Sequence, residues 1–242
     1  MTGSILLILV IWQGVVWVTQ VPSYILPGPL GVAESMVENA GLIARHSWIT
    51  ALEVMIGLLF GTLLGVATAL YLMMSDLARR FMMPMLVLSQ TLPIFALAPL
   101  LTLWFGYGLF SKIVMTLLII YFPVASTFFD GLGGTPKGYL QLAQSMRATP
   151  INTLLQVRVP AALPSLASGI RLASVYAPIG AIIGEWVGAS QGLGYLMLLA
   201  NGRVEIDLMF AALVALCGFT MLLRWSTGML CDSLSAWAGE PG

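Results

Sequence analysis

Three ionisable side chains, Glu53, Arg171 and Glu185, interrupt or border long apolar stretches of this sequence. In a lipid-spanning helix such a charge costs about 2.5–3.5 kcal/mol on insertion scales, so each needs a reason to be there. Two readings stay open. The charges line a pathway, or they lie near an interface, snorkelling or paired with a neighbouring helix. Glu185 falls within "YAPIGAIIGEWVGASQGLGY" (176–195), where Pro178 frees a backbone carbonyl and permits a bend. The glycines of that run equally suit close packing at a subunit interface. Tyr176 and Trp186 offer ring faces to a planar heterocycle, or serve as interfacial anchors.

The remaining catalytic inventory is thin. His46 is the single histidine, which excludes an HExxH zinc site, and no GxSxG occurs. The run "GLGGTPKG" (131–138) is glycine-rich but lacks GxxxxGK[ST] spacing and follows an apolar stretch instead of a strand. It reads as a flexible exit from a span. Cys217 and Cys231, fourteen residues apart on one stretch, read as packing residues. No catalytic cluster and no metal site is expected, and the chain is not expected to hydrolyse ATP by itself.

The elements that carry these residues follow from composition. Only 8% of the chain is charged and 59% is hydrophobic, with net charge zero. Soluble domains carry about 25% charged residues, so a water-soluble fold could not cover its surface this way. The stretches 1–33, 54–75, 81–111, 113–129 and 208–223 are uncharged, and 161–187 is interrupted only by Arg171 and Glu185. About 20 apolar residues span a bilayer core. Six spans are expected, near 4–21, 49–74, 82–104, 112–131, 162–187 and 207–230. Barrel strands would alternate with period two, which is absent, so the fold class is all-α and polytopic. A signal peptide would show a basic leader, but no charge precedes Glu34, so the first stretch reads as a span.

Six spans place both termini on one side. That side then holds Arg79, Arg80, Lys137, Arg147 and Arg158, against Arg45, Lys112 and Arg203 on the other. Positive residues mark the cytoplasm, so both termini and the segment "QLAQSMRATPINTLLQVRVPAALP" (141–164) are expected inside the cell. Within and just before this segment, Leu140, Gln141, Leu142, Ala143, Gln144, Ser145 and Met146 read as a short helix. Arg147, Ala148, Thr149 and Pro150 form a break, with Thr149 an N-cap. Ile151, Asn152 and Thr153 then open a second amphipathic stretch, with Ile151, Leu154, Leu155 and Val159 on one face. "VPAALP" is expected to turn the chain back into the membrane. A rigid polar helix-turn-helix suits docking onto another protein; the alternative is a segment lying on the lipid surface.

These residues resemble the cytoplasmic loop of binding-protein-dependent ABC importer permeases, whose pattern is roughly EAA, three residues, Gly, then a hydrophobic stretch ending in LP. Counting back thirteen from Pro160, the family glycine falls on Arg147 and its Glu-Ala-Ala on Gln141, Leu142 and Ala143. Ala143 and Pro160 match, while Gln141, Leu142 and Arg147 depart. "YILPGPLGV" (24–32), "TLPIFALAPLLTLWFGYGLFSKI" (91–113), "VPAALPSLASGIRLA" (159–173) and "IIGEWVGASQGLGYLM" (182–197) follow the family's order and spacing. The resemblance covers about 24–230 and looks closest to the nitrate, sulfonate, taurine and pyrimidine-precursor branch. Within it, "YAPIGAIIGEWVGASQGLGYLMLLANG" is similar to permeases for thiamine's aminopyrimidine precursor.

The resemblance implies type I ABC importer permease architecture in the cell inner membrane. Residues 1–242 would form one permease domain with 133–161 as its coupling loop and 140–153 seated in an ATPase cleft. The implied partners are ABC ATPase subunits, an extracytoplasmic substrate-binding protein, a second permease copy and membrane lipid, with no nucleic acid. ATP and magnesium would belong to the ATPase, and no cofactor to this chain. A pathway would be lined by Pro93, Pro99, Tyr176, Pro178, Glu185 and Trp186. The best-matched solute is an aminopyrimidine thiamine precursor; sulfonate, taurine or nitrate is the alternative. A secondary carrier lies outside the class and would favour two similar halves, which the sequence lacks.

Overall fold

A computed structural model describes residues 2–237, and every regular element among them is helical. Helices α1 (Thr2–Thr19) and α2 (Pro29–Glu38) lead into the 35-residue α3 (Ala40–Met74). Then come α4 (Asp76–Thr91), α5 (Ile94–Phe105), α6 (Leu109–Gly133) and α7 (Lys137–Ser145). The short α8 (Pro150–Thr153), a π-helical turn (Leu154–Arg158) and α9 (Val159–Gly188) run on without a break, followed by α10 (Leu193–Gly202) and α11 (Ile206–Trp237).

Among the described residues, four helices are long and apolar enough to cross a membrane: Ala40–Met74, Leu109–Gly133, Pro150–Gly188 and Ile206–Leu234. The expected straight span over 82–104 is instead the α4–α5 pair, bent by 101°, which counts as a fifth span only as a broken one. Proline is the cause. Leu92 leaves helical space with ψ 121°, as residues before proline do, and Pro93 caps α5. The first expected span corresponds to α1, an 18-residue helix.

Helix α6 lies between α3 and α9 and supplies the centre of the core. Its Met115, Ile120, Val124, Phe128 and Leu132 are buried. Lipid tails are as apolar as leucine, so close packing has to hold these helices together. Glycines make it possible. A Cβ on Gly57, Gly61 or Gly65 of α3 would lie 2.5, 2.6 and 2.9 Å from Thr116, Ile120 and Val124 of α6. On the other side, a Cβ on Gly180 of α9 would lie 2.7 Å from the Thr116 backbone. Alanines 173, 177 and 181 continue that seam.

The expected turn at "VPAALP" is corrected to unbroken helix: Pro150–Gly188 is one 39-residue rod. Pro160 occupies the first turn of α9, and Pro164 lies inside it. The preceding turn widens, with the Val159 N–H donating to the Leu154 carbonyl five residues back. Such a π-turn absorbs a local disturbance of the hydrogen-bond ladder without breaking the rod.

Candidate functional site

The 137–158 elbow is built largely by local chemistry. Helix α7 ends in a Schellman arrangement: the Ala148 N–H donates to the Ala143 carbonyl and the Arg147 N–H to the Gln144 carbonyl, both at 2.9 Å. That motif places Arg147 at φ +54°, a left-handed conformation in which glycine is the usual residue. Thr149 then caps α8 by accepting the Asn152 N–H at 3.3 Å, with Pro150 in the first turn. Ala143 is buried, Leu140 and Thr153 are half-buried, and the rest of 140–153 is exposed.

Two contacts root the elbow in the helix ends. Arg158 donates from Nη1 to the Leu132 carbonyl at 2.8 Å and touches the Met73 sulfur. Leu154 packs with Ala69, Phe128, Leu132 and Ala162. Of the expected face of Ile151, Leu154, Leu155 and Val159, Leu154 is buried and Val159 half-buried, whereas Ile151 and Leu155 are exposed; the π-turn alters the helical register after Thr153. Tyr139 and Leu142 on α7 and Met146 at its C-cap are also exposed. The elbow therefore presents apolar side chains beside Arg147 and the Thr149 cap, an arrangement fitted to receive a partner surface. Sequence reasoning counted Arg158 only as a cation on the side of the termini and missed it as the anchor; a cation at the mouth of a span was the available signal.

The six pathway candidates separate around the helices. Pro178 and Trp186 line a cavity of about 760 Å³ with Phe95, Ile182, Met197 and Leu213. Tyr176 and Glu185 lie off this cavity, as do Pro93 at the α4–α5 bend and Pro99 within α5. Helical geometry explains the split between neighbours: successive residues point about 100° apart. Trp186 is 41% exposed and Glu185 1%.

Glu185 points instead toward α3, where its Oε1 accepts the Thr50 hydroxyl at 2.6 Å. Beside it, Lys112 of α6 donates to Glu53 Oε1 at 2.6 Å, and both side chains are buried. Arg171 pairs with Asp232 of α11. Of the two readings open for Glu53 and Arg171, pairing with a neighbouring helix is the one observed. In the sequence Thr50 was not singled out, and Lys112 was counted only as a cation of the side opposite the termini. A lysine separating two long uncharged stretches was the signal, since a buried acid needs a base to balance it. Neither cysteine forms a disulfide; Cys217 is exposed and Cys231 buried. No group of three or more histidine, cysteine or acidic side chains among the described residues is arranged to hold a metal.

Comparison with known proteins accords with this architecture. A family profile described as "Binding-protein-dependent transport system inner membrane component" matches residues 57–234. A probable ABC transporter permease protein of Haemophilus influenzae is 50% identical, over 92% of this chain and 91% of its own length. The formylaminopyrimidine transport permease protein ThiX of Halalkalibacterium halodurans is 37% identical, over 78% of this chain and 76% of its own. Among solved structures, the inward-facing MetNI methionine ABC transporter superposes with a TM-score of 0.71, covering 81% of this chain and 98% of that one. At 21% identity that likeness speaks for the fold, which is the type I importer permease architecture.

Proposed function

This chain belongs to the binding-protein-dependent transport system inner membrane components and is a permease subunit of an ABC transporter, and from that premise we propose that it imports a small aminopyrimidine. The observation that carries the mechanical part of the reading is the elbow. A capped, rooted helix-turn-helix with exposed Tyr139, Leu142 and Met146 has the form of a plug for a cleft. Residues 140–153 seat in an ATP-hydrolysing partner, which supplies ATP and magnesium chemistry. When two such partners close, the elbows are drawn together and the spans switch from inward- to outward-facing.

The elbow end then faces the cytoplasm, with both termini on that side, and a substrate-binding protein docks at the opposite end. A second copy of the chain completes the pathway. Residues 1–242 act as one permease domain, with 133–161 its coupling loop. Pro178, Trp186 and Phe95 form part of the pathway wall, while Pro93, Pro99, Tyr176 and Glu185 support its shape. The ring faces of Phe95 and Trp186, on a cavity lined mostly by apolar side chains with Thr220 and Arg224 among them, suit a planar heterocycle with polar substituents. The ThiX likeness supports the same choice.

The test is uptake into cells expressing this chain with its ATPase and binding protein. Labelled aminopyrimidine and an alkanesulfonate are offered in parallel, to wild type and to a variant lacking 141–153. ATP-dependent pyrimidine uptake that disappears in a variant still inserted in the membrane is the expected result. Sulfonate uptake alone overturns the solute. Uptake that survives loss of the segment, or of the ATPase, makes the chain a carrier.

A further inference from the structure

At the end of the molecule opposite the elbow, α10 begins without a capping side chain of its own. A helix start leaves four N–H groups without intrahelical partners, and here three of them are met by other elements. The Gly192 N–H donates to His46 Nδ1 at 3.0 Å, and the Leu193 N–H donates to Thr50 Oγ1 at 2.8 Å. The Gly194 N–H donates to Glu185 Oε2. Thr50 passes its own hydrogen to Glu185 Oε1, so the three acceptors form one connected group. His46, Thr50 and Glu185 are all buried, and the His46 ring stacks on Tyr195, centroids 6.0 Å apart. A carboxylate at a helix N-terminus also meets the positive end of its dipole.

The backbone is shaped to admit this group. Gly192 has φ +112°, and a Cβ there would lie 2.2 Å from the Glu185 carboxyl carbon. One layer below, the Lys112–Glu53 pair joins α6 to α3, and a Cβ on Gly184 would lie 3.1 Å from the Lys112 Cα. Four helices thus meet in one buried polar knot. Its output is the rim of the 760 Å³ cavity: Trp186 directly follows Glu185, and Met197 of α10 stands on the same cavity.

We propose that His46, Thr50 and Glu185 are positioning residues that fasten the start of α10 to α3 and α9, so that Trp186 and Met197 move as one rim when the pathway switches. This rests on the transport reading above. The knot leaves α10 no independent hinge at residues 189–192; the link is carried with the rod that begins at the elbow.

The experiment uses the whole transporter, reconstituted with its ATPase and binding protein, and reads two quantities. Amide hydrogen exchange over 190–197 reports the knot, and labelled aminopyrimidine moved per ATP hydrolysed reports its use. Thr50→Val keeps shape but removes both hydrogen bonds, and Glu185→Gln replaces one acceptor by a donor facing Gly194. In each, exchange at the start of α10 rises about tenfold or more, as expected for a buried N–H left unmatched, and solute moved per ATP falls several-fold. Thr50→Ser restores both readings to wild type. Faster exchange with undiminished transport per ATP overturns the positioning role. Unchanged exchange in both variants overturns the knot. Wild-type uptake that ignores ATP sinks the transport reading alone, because the exchange measurement still decides whether α10 is fastened.

Discussion

The elbow and the knot sit at opposite ends of the same rod and are held in opposite ways. At the elbow, most bonds join residues three to five apart: Thr149 with Asn152, Arg147 with Gln144, Ala148 with Ala143. At the knot the partners are 59 to 146 residues apart, except for Glu185 with Gly194, and their side chains are buried. The elbow exposes its apolar side chains; the knot encloses its charges. In the proposed reading, the part that engages another protein is stiffened from within, so that its outer face stays free. A part that must keep helices in register spends its polar groups on contacts between them.

Breaking the knot's lower layer has the largest expected effect. Lys112→Met leaves Glu53 buried beside no base, at a cost of about 3–5 kcal/mol. A Lys112→Met/Glu53→Leu double variant recovers most of that loss. Thermal unfolding of the purified chain in detergent measures both, and a double variant no better than the single contradicts the pairing. Gly192→Ala comes next, since its methyl would enter the Glu185 carboxylate at a positive φ. We expect destabilisation of about 1–3 kcal/mol and faster amide exchange at 190–197.

At the elbow the effects are smaller and local. Arg158→Met removes the bond to the Leu132 carbonyl and should cost about 1–2 kcal/mol, read as faster proteolysis or exchange across 137–158 with the knot unaffected. Thr149→Ala loses a cap worth about 1 kcal/mol. Arg147→Gly should do the reverse for stability, gaining up to about 1 kcal/mol at the left-handed position. Arg147→Glu keeps that backbone cost but reverses the charge beside the apolar plug, and weaker retention of the ATPase on co-purification is the expected outcome. If Arg147→Glu assembles and transports normally, the arginine has no role in docking.

What was legible in the sequence follows the same division. The uncharged runs gave the locations of α3, α6, α9 and α11, since a bilayer imposes length and apolarity directly. The break at "RATP" and the Thr149 cap were readable because capping chemistry lies within a few residues. The bend at Pro93 and the continuity through Pro160 were not. A proline fixes its own φ, but whether the chain bends or a π-turn takes up the change is settled by packing around it. The knot was least visible of all. His46, Thr50 and Lys112 have no motif in common, and only folding brings them beside Glu185. Even so, Glu53 and Lys112, each at the edge of a long uncharged run, are the acid and base that the fold pairs between α3 and α6.

The continuity of Pro150–Gly188 has a mechanical consequence. Thirty-nine helical residues at about 1.5 Å each make a beam of roughly 58 Å, longer than the hydrocarbon core is thick. Pivoted near its middle, where a Cβ on Gly169 would lie 2.2 Å from Thr127 of α6, such a beam turns a tilt of about 5° into a swing of roughly 2.5 Å at each tip, in opposite directions. A push at the elbow would reach the far mouth with its sense reversed.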